Sequence, residues 1–206
     1  MCDYFIKYTP TPYSNNRIKE ITNEHSRLIK NTNKIYFGGF ERKKRNGNGV
    51  LITVEGSIYE GEFLDNLRDG YGVEIYANGN VYIGNFARNK KHGEGQFYWF
   101  NISPPVKEDA KFVEYYSGEW WGNYPDGKGS HQKACGNIYD GHFKNGLKHG
   151  KGEEYFSNGD SYKGDYVNGL PEGFGQYSWL DGSAYEGDFK QGLRCGHGIW
   201  FSGDKK

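Results

Sequence analysis

Residues 139–161 read "YDGHFKNGLKHGKGEEYFSNGDS", and the reading of this stretch decides the fold. A tyrosine opens it, a glycine stands third and a second ring stands fifth. Gly150 and Gly152 then flank a lysine, next to a histidine. Alone, "HGKG" looks like a loop that cradles a phosphate. The whole chain speaks against that, because the segment recurs. Tyrosine followed by x-Gly-x-aromatic begins at Tyr36, Tyr59, Tyr82, Tyr116, Tyr139, Tyr162 and Tyr185. The spacing is 23 residues at every step but one, where it is 34. Gly-x-Gly keeps the same phase, at Gly47/Gly49, Gly70/Gly72, Gly93/Gly95, Gly127/Gly129, Gly150/Gly152, Gly173/Gly175 and Gly196/Gly198. The residue between the two glycines is Asn48, Tyr71, Glu94, Lys128, Lys151, Phe174 or His197. A phosphate cradle would not accept that range, and no Gly-rich stretch ends in Gly-Lys-Ser/Thr. The glycines are architectural.

Strand side chains alternate between faces, so places 1, 3 and 5 of each unit share a face. That face is expected to form the repeat core, from Tyr36, Phe40, Tyr59, Phe63, Tyr82, Phe86, Tyr116, Trp120, Tyr139, Phe143, Tyr162, Tyr166, Tyr185 and Phe189. The glycine between two rings is expected to leave room for a ring of the neighbouring unit. Place 8 is Asn or Gly in six units: Asn66, Asn89, Asn123, Gly146, Gly169 and Gly192. These residues tolerate positive φ in a hairpin turn. A third glycine closes most units, and in three of them it follows Asn or Asp (78–79, 158–159 and 181–182), which marks a second turn. Each unit is thus one β-hairpin, handed to the next by a short turn. The predicted fold is all-β: an elongated, twisted, single antiparallel sheet of about seven consecutive hairpins. About 14 strands make a ribbon of roughly 65 Å, in which each unit touches mainly its neighbours.

The pattern Y-x-G-x-[FYW]-x6-G-x-G at a period of 23 resembles the MORN repeat family (membrane occupation and recognition nexus) over residues 36–204. Short chains built almost wholly of such repeats are typical of structural parts of cilia and flagella, notably radial-spoke heads. Others belong to cortical complexes or hold a myosin tail. The resemblance therefore implies a non-enzymatic protein–protein interaction scaffold in a multi-subunit cytoskeletal complex. It also implies a cytoplasmic or cytoskeletal location, foremost the axoneme of a cilium or flagellum. The alternative it carries is a peripheral membrane adaptor that binds phosphoinositides. Basic stretches such as "ERKKRNG" (41–47) and "NKKHG" (89–93) could meet lipid headgroups. The intervening acidic "LDNLRDG" (64–70) weighs against it. Open sheet edges leave self-association, as a filament or a dimer, as a third arrangement, which the charged "GDKK" (203–206) should discourage.

Composition agrees with an ordered β-protein. Glycine, at 32 of 206 residues, is roughly twice its usual share. Aromatics reach 17%, so rings can supply the burial that scarce aliphatics do not. Lys plus Arg and Asp plus Glu both number 26. A neutral chain has no global field for nucleic acid, and none is expected as a partner. Cys2, Cys135 and Cys195 lack metal-ligand spacing and read as thiols of a reducing compartment. The first residues, "MCDYFIKYTPTPYSNN", lack the apolar run of a signal peptide. No window approaches the ~20 apolar residues of a membrane span. A soluble, intracellular chain is expected. His92 and His149 only mark repeat phase. H-E-x-x-H, C-x-x-C and G-x-S-x-G are missing, so no catalytic residue, metal or cofactor is expected.

Partner contacts are expected on rings of the second strands: Phe97, Tyr98, Trp99, Phe156, Tyr177, Trp179 and Trp200. Two further segments break the period. An 11-residue insertion near 102–112, "ISPPVKEDAKF", brings Pro104 and Pro105 and reads either as a longer solvated loop or as a contact loop for a partner. Residues 1–35 form a polar N-terminal extension. There Ile18, Ile21, Leu28 and Ile29 fit one stripe of a short helix over about 16–30. Such a helix would either cap the first sheet edge or dock on a partner.

Overall fold

The computed structural model describes residues 26–100 and 112–203. Its elements are β1 (Ser26–Lys30), β2 (Lys34–Glu41), β3 (Lys44–Thr53), β4 (Ile58–Leu64) and β5 (Leu67–Ile75). Then come β6 (Val81–Ala87), β7 (Lys90–Phe100), β8 (Phe112–Trp121), β9 (Tyr124–Gln132) and β10 (Ile138–Lys144). The last five are β11 (Leu147–Tyr155), β12 (Ser161–Val167), β13 (Leu170–Ser178), β14 (Ala184–Lys190) and β15 (Leu193–Phe201). All lie in one open sheet in chain order, each strand antiparallel to the next. Every repeat unit is one hairpin, from β2–β3 to β14–β15.

The hairpin tips are two-residue turns with both residues left-handed, such as Asp65 (φ 50°) and Asn66 (φ 74°). This mirror-image turn matches the right-handed twist of the strands it joins. The first unit builds the same turn from Arg42 and Lys43, without an Asn or Gly. Tips are also tied to one another. The Asn66, Asn89 and Asn123 side-chain carbonyls each accept from the backbone N–H of Arg45, Arg68 and Lys91 in the preceding unit, at 2.9 Å. Pro125 and Pro171 have no N–H to offer. Opposite them the tip residue is glycine, and the Gly146 and Gly192 N–H groups donate to the proline carbonyls.

The Gly-x-Gly signature does two different jobs. Its first glycine is left-handed, for example Gly150 at φ 70°, and lies where the hairpin register slips. It makes a β-bulge, which a side chain there would strain. Its second glycine pairs with the place-3 glycine on both sides. The result is an unbroken row across the sheet: Gly38, Gly49, Gly61, Gly72, Gly84, Gly95, Gly118, Gly129, Gly141, Gly152, Gly164, Gly175, Gly187 and Gly198. The ring that uses this space is the unit's own tyrosine, where the sequence reading expected a neighbour's. A Cβ added at Gly49 would come within 2.6 Å of the Tyr36 ring. The reason is the bulge, which leaves the place-4 carbonyl without a partner within its hairpin. Tyrosine bends back over the glycines so that its hydroxyl can donate to that carbonyl, as Tyr139 does to His142 at 2.9 Å. Tyr36, Tyr59, Tyr82, Tyr116, Tyr162 and Tyr185 repeat the bond.

The core is a single line of rings. Each place-5 ring meets its own tyrosine and that of the preceding unit edge-on. Phe143 stands 5.1 Å from both Tyr116 and Tyr139, and Phe63 stands 5.2 Å from Tyr36 and Tyr59. Such pairs each contribute about 0.5–1.5 kcal/mol beyond burial. Thirteen of the fourteen core rings named from the sequence are buried. Phe40 is half-buried, since no unit precedes it to supply the second tyrosine.

At the N-terminal end the structure differs from expectation. Residues 26–30 form strand β1 instead of the end of a helix, so the described sheet has fifteen strands rather than fourteen. β1 pairs along β2, with Leu28 opposite Phe37 and Ile29 opposite Tyr36. Neighbours in a strand face opposite ways, so Leu28 and Ile29 do not share the stripe that a helix would give them. The open edge of β2 wins this segment because a strand there satisfies backbone groups that a helix would leave unpaired. Ile18, Ile21, Pro104 and Pro105 lie outside the described residues.

Candidate functional site

The candidate surface is the face that carries the tyrosine line. Along it the second strands add a further row of rings beside the core. Phe97 is buried, and Trp99, Phe156, Tyr177 and Trp179 are half-buried against the line. Two clusters result. In one, Phe97 lies between Tyr76 at 5.7 Å and Trp99 at 4.3 Å. In the other, Phe156 stacks on Tyr177 at 5.8 Å, Tyr177 meets Trp179 at 4.8 Å, and Trp179 stacks on Trp200 at 5.1 Å and 11°. Trp200 is 59% exposed. Tyr98 is on the opposite face, beside Tyr115 at 4.9 Å, because it stands one residue from Phe97 and Trp99. Leu28 is 69% exposed, also on that opposite face. The structure thus brings six of the nominated rings onto one face and sets Tyr98 and Leu28 on the other.

Ionic groups separate the two clusters. His131 Nε2 and Glu114 are 2.7 Å apart, and the His131 ring is 5.8 Å from Trp99. Burial pushes the His131 pKa down, and the Glu114 carboxylate pulls the other way. Next along the ribbon, Lys148 pairs with Glu154, and Tyr166 donates to the same carboxylate at 3.1 Å.

The sequence reading missed a row of cations. Arg45, Arg68, Lys91, Lys148 and Arg194 each stand two residues before the first glycine of Gly-x-Gly. Each lies over its own unit's tyrosine. Arg68, for example, is 5.5 Å from Tyr59 and 5.1 Å from Phe86. The same holds for Arg45, Lys91, Lys148 and Arg194 over Tyr36, Tyr82, Tyr139 and Tyr185. A cation over a ring face gains about 0.5–2 kcal/mol, more when desolvated. The signal was legible as a basic residue at place 10 in five of seven units. Under these cations the tyrosines resist ionisation: burial pushes Tyr36 up to about 12, with Arg45 opposing. Tyr162, whose unit has Pro171 at this place and, among the described residues, no cation over the ring, is likewise pushed up to about 12 by burial.

The opposite face is floored by the bare glycine row. Between units four and seven it forms an open groove of about 570 Å3, with Lys128, His142, Lys151 and Phe174 on one bank and Asp140 and Lys163 on the other. Each bank carries a cross-strand ion pair, Lys151 with Asp165 at 3.1 Å on the first and Lys163 with Glu153 at 3.4 Å on the second. Among the described residues no group of three or more His, Cys, Asp or Glu is placed to hold a metal ion.

Solved structures similar to this chain include the TCP domain of Drosophila melanogaster SAS-4 (dCPAP), in complex with a proline-rich motif of Ana2. It is 14% identical, with 78% of this chain and 77% of that chain covered and a TM-score of 0.40. The wild-type TCP10 domain of Danio rerio CPAP, in complex with a STIL peptide, is 13% identical, with 74% and 82% covered and a TM-score of 0.23. No curated protein matches the chain. The family model for the MORN repeat matches residues 36–58, 59–81, 82–101, 116–134, 139–161, 162–184 and 185–205. Seven consecutive matches, each laid on one hairpin with the same glycine row and tyrosine line, make this chain a member of the MORN repeat family.

Proposed function

We propose that the chain is a non-enzymatic scaffold that binds other proteins through its aromatic face, within a multi-subunit cytoskeletal assembly. The observation that carries this is the second row of rings. Trp99, Trp179 and Trp200 lean on the buried tyrosine line yet keep surface in solvent. Rigid aromatics with exposed surface are the residues that dominate protein interfaces. An array of seven such repeats resembles structural parts of the ciliary or flagellar axoneme, such as the radial spoke head. That setting is the one proposed, with a cytoplasmic or cytoskeletal location. Cross-linking mass spectrometry on the native assembly tests it. Cross-links to axonemal subunits that are lost in Trp99→Ala and Trp179→Ala variants are expected. Cross-links confined to non-cytoskeletal proteins, or unchanged by both substitutions, would overturn it.

A second reading is a peripheral membrane adaptor, favoured by the exposed tip residues Arg42, Lys43, Lys44, Arg88 and Lys90. Flotation with anionic liposomes at low salt distinguishes the two, since only the membrane reading expects salt-sensitive binding.

A further inference from the structure

Lys91 differs from the other members of its cation row. Arg68 and Lys148 each pair with a carboxylate six residues on, Glu74 and Glu154. The Arg45 guanidinium donates to the Asn66 carbonyl at 2.6 Å, and Arg194 is exposed at the end of the row. In the hairpin of Lys91 the place six residues on is Phe97. Its ammonium lies 4.4 Å from the Phe97 ring centroid, 5.1 Å from Trp120, 5.2 Å from Tyr76 and 5.3 Å from Tyr82. Four rings surround it, and a ring face offers no lone pair to its N–H donors. Among the described residues no carboxylate comes within ion-pairing range of it. The charged groups that face it are on β5: Arg68 and Glu74, which already bond each other, while Tyr76 donates to Glu74 at 2.7 Å. Beyond Trp120 on β8, Glu114 is held by His131 of β9. Lys91 is half-buried on the aromatic face.

We propose that Lys91 is a receptor for a carboxylate, the Asp or Glu side chain of a protein segment that docks on the aromatic face. The inference rests on the scaffold reading and adds the chemistry of its partner: rings or aliphatics for the Trp99 and Trp179 clusters, with one acid placed over Phe97. A charge-assisted bond to a carboxylate is about twice as strong as a neutral one and is shielded here from competing water. The charged state of Lys91 is short of stabilisation as it stands. Burial lowers its pKa to about 8, with Glu74 opposing and Arg68 adding to the effect. An incoming carboxylate would reverse that shift.

The test uses the full chain with isotope-labelled lysine and follows the side-chain NMR signal of Lys91 against pH. Sodium acetate is the probe, compared with sodium chloride at equal ionic strength. The expected result is a midpoint near 8 in chloride that rises by about one unit in acetate, while the Lys148 signal is unmoved. Lys91→Met should remove the signal and leave the melting temperature at or above that of the parent chain. A Lys91 midpoint in chloride at its ordinary value of about 10.4, or one that acetate does not move, overturns the proposal. No partner protein enters this measurement, so its failure would leave the scaffold reading to its own cross-linking test.

Discussion

Gly150 and Gly152 are two residues apart in one signature, and an alanine at each should fail for different reasons. At Gly152 an added Cβ would come within 2.5 Å of the Tyr139 ring, which lies flat over the glycine. The ring cannot stay. Leaving, it gives up its hydroxyl bond to His142 at 2.9 Å and strands a bulge carbonyl, at about 1–3 kcal/mol. It also gives up edge-on contacts of 5.1 Å with both Phe143 and Tyr166, at about 0.5–1.5 kcal/mol each. Loss of Lys148 from its face adds about 1 kcal/mol. Gly152→Ala should therefore cost about 3–7 kcal/mol, the sum of those terms. At Gly150 the nearest atom to an added Cβ is 3.7 Å away, but φ is +70°. Gly150→Ala should cost only the left-handed backbone penalty of about 1–2 kcal/mol. Lys151→Ala, between them, should cost under about 0.5 kcal/mol. Urea unfolding followed by circular dichroism measures all three, and hydrogen exchange over β10–β12 locates the loss, since repeat units fail locally. A Tyr139→Ala background closes the cycle: with the ring gone, Gly152→Ala should cost under about 1 kcal/mol. Equal costs at Gly150 and Gly152, or no rescue in that background, would refute the ring-over-glycine account.

Other outcomes follow from the same geometry. Phe143→Ala removes a ring that is 5% exposed and shared between two tyrosines; it should cost about 3–5 kcal/mol in chemical unfolding. Glu154→Gln leaves Lys148 without its carboxylate at a side-chain exposure of 11%, and a loss of about 3–5 kcal/mol is expected. Lys43→Gly relieves a left-handed lysine at φ 64° and should raise stability by about 1 kcal/mol, seen as a higher urea midpoint. Stability should also depend on alkaline pH in two opposed ways. Lys91 has a folded pKa near 8, below its unfolded value of 10.5, so stability rises as pH climbs through that interval. Tyr36 and Tyr162 have folded values near 12, above their unfolded value of 10.0, so their stabilisation is present below pH 10.0 and fades as pH rises toward 12. Melting temperature against pH should therefore pass through a maximum on the alkaline side, and Lys91→Met should flatten its rising limb.

Much of this fold is visible in residue order because a repeat array uses local rules many times over. Tyr-x-Gly-x-aromatic at a period of 23 names the face, the hairpin and the core rings together. Asn66 and Gly146 name the tips, since few other residues accept the left-handed turn that strand twist demands. The candidate face was legible in part. Trp99, Tyr177, Trp179 and Trp200 follow from period-two counting along a strand, which also sets Tyr98 on the other face, but which of the two sets shares the tyrosine face was known only from the register past the bulge. The cation row was written at place 10 and passed unnoticed, because the bulge hides its alignment with the tyrosines. The helix expected over 16–30 failed at its end for a non-local reason. Residues 26–30 have a helical stripe when read alone, but β2 offers them an unpaired edge.

The sequence by itself determined the hairpin repeat, the all-β class and the identity of the buried rings, since each depends on alternation and turn chemistry within a single unit. Only the tertiary structure decided which ring lies over each glycine, which rings share the solvent face, and which cations of the row find a carboxylate. Those depend on contacts that cross from one strand to the next through a bulge, where three residues face one and simple counting along the chain no longer gives the register.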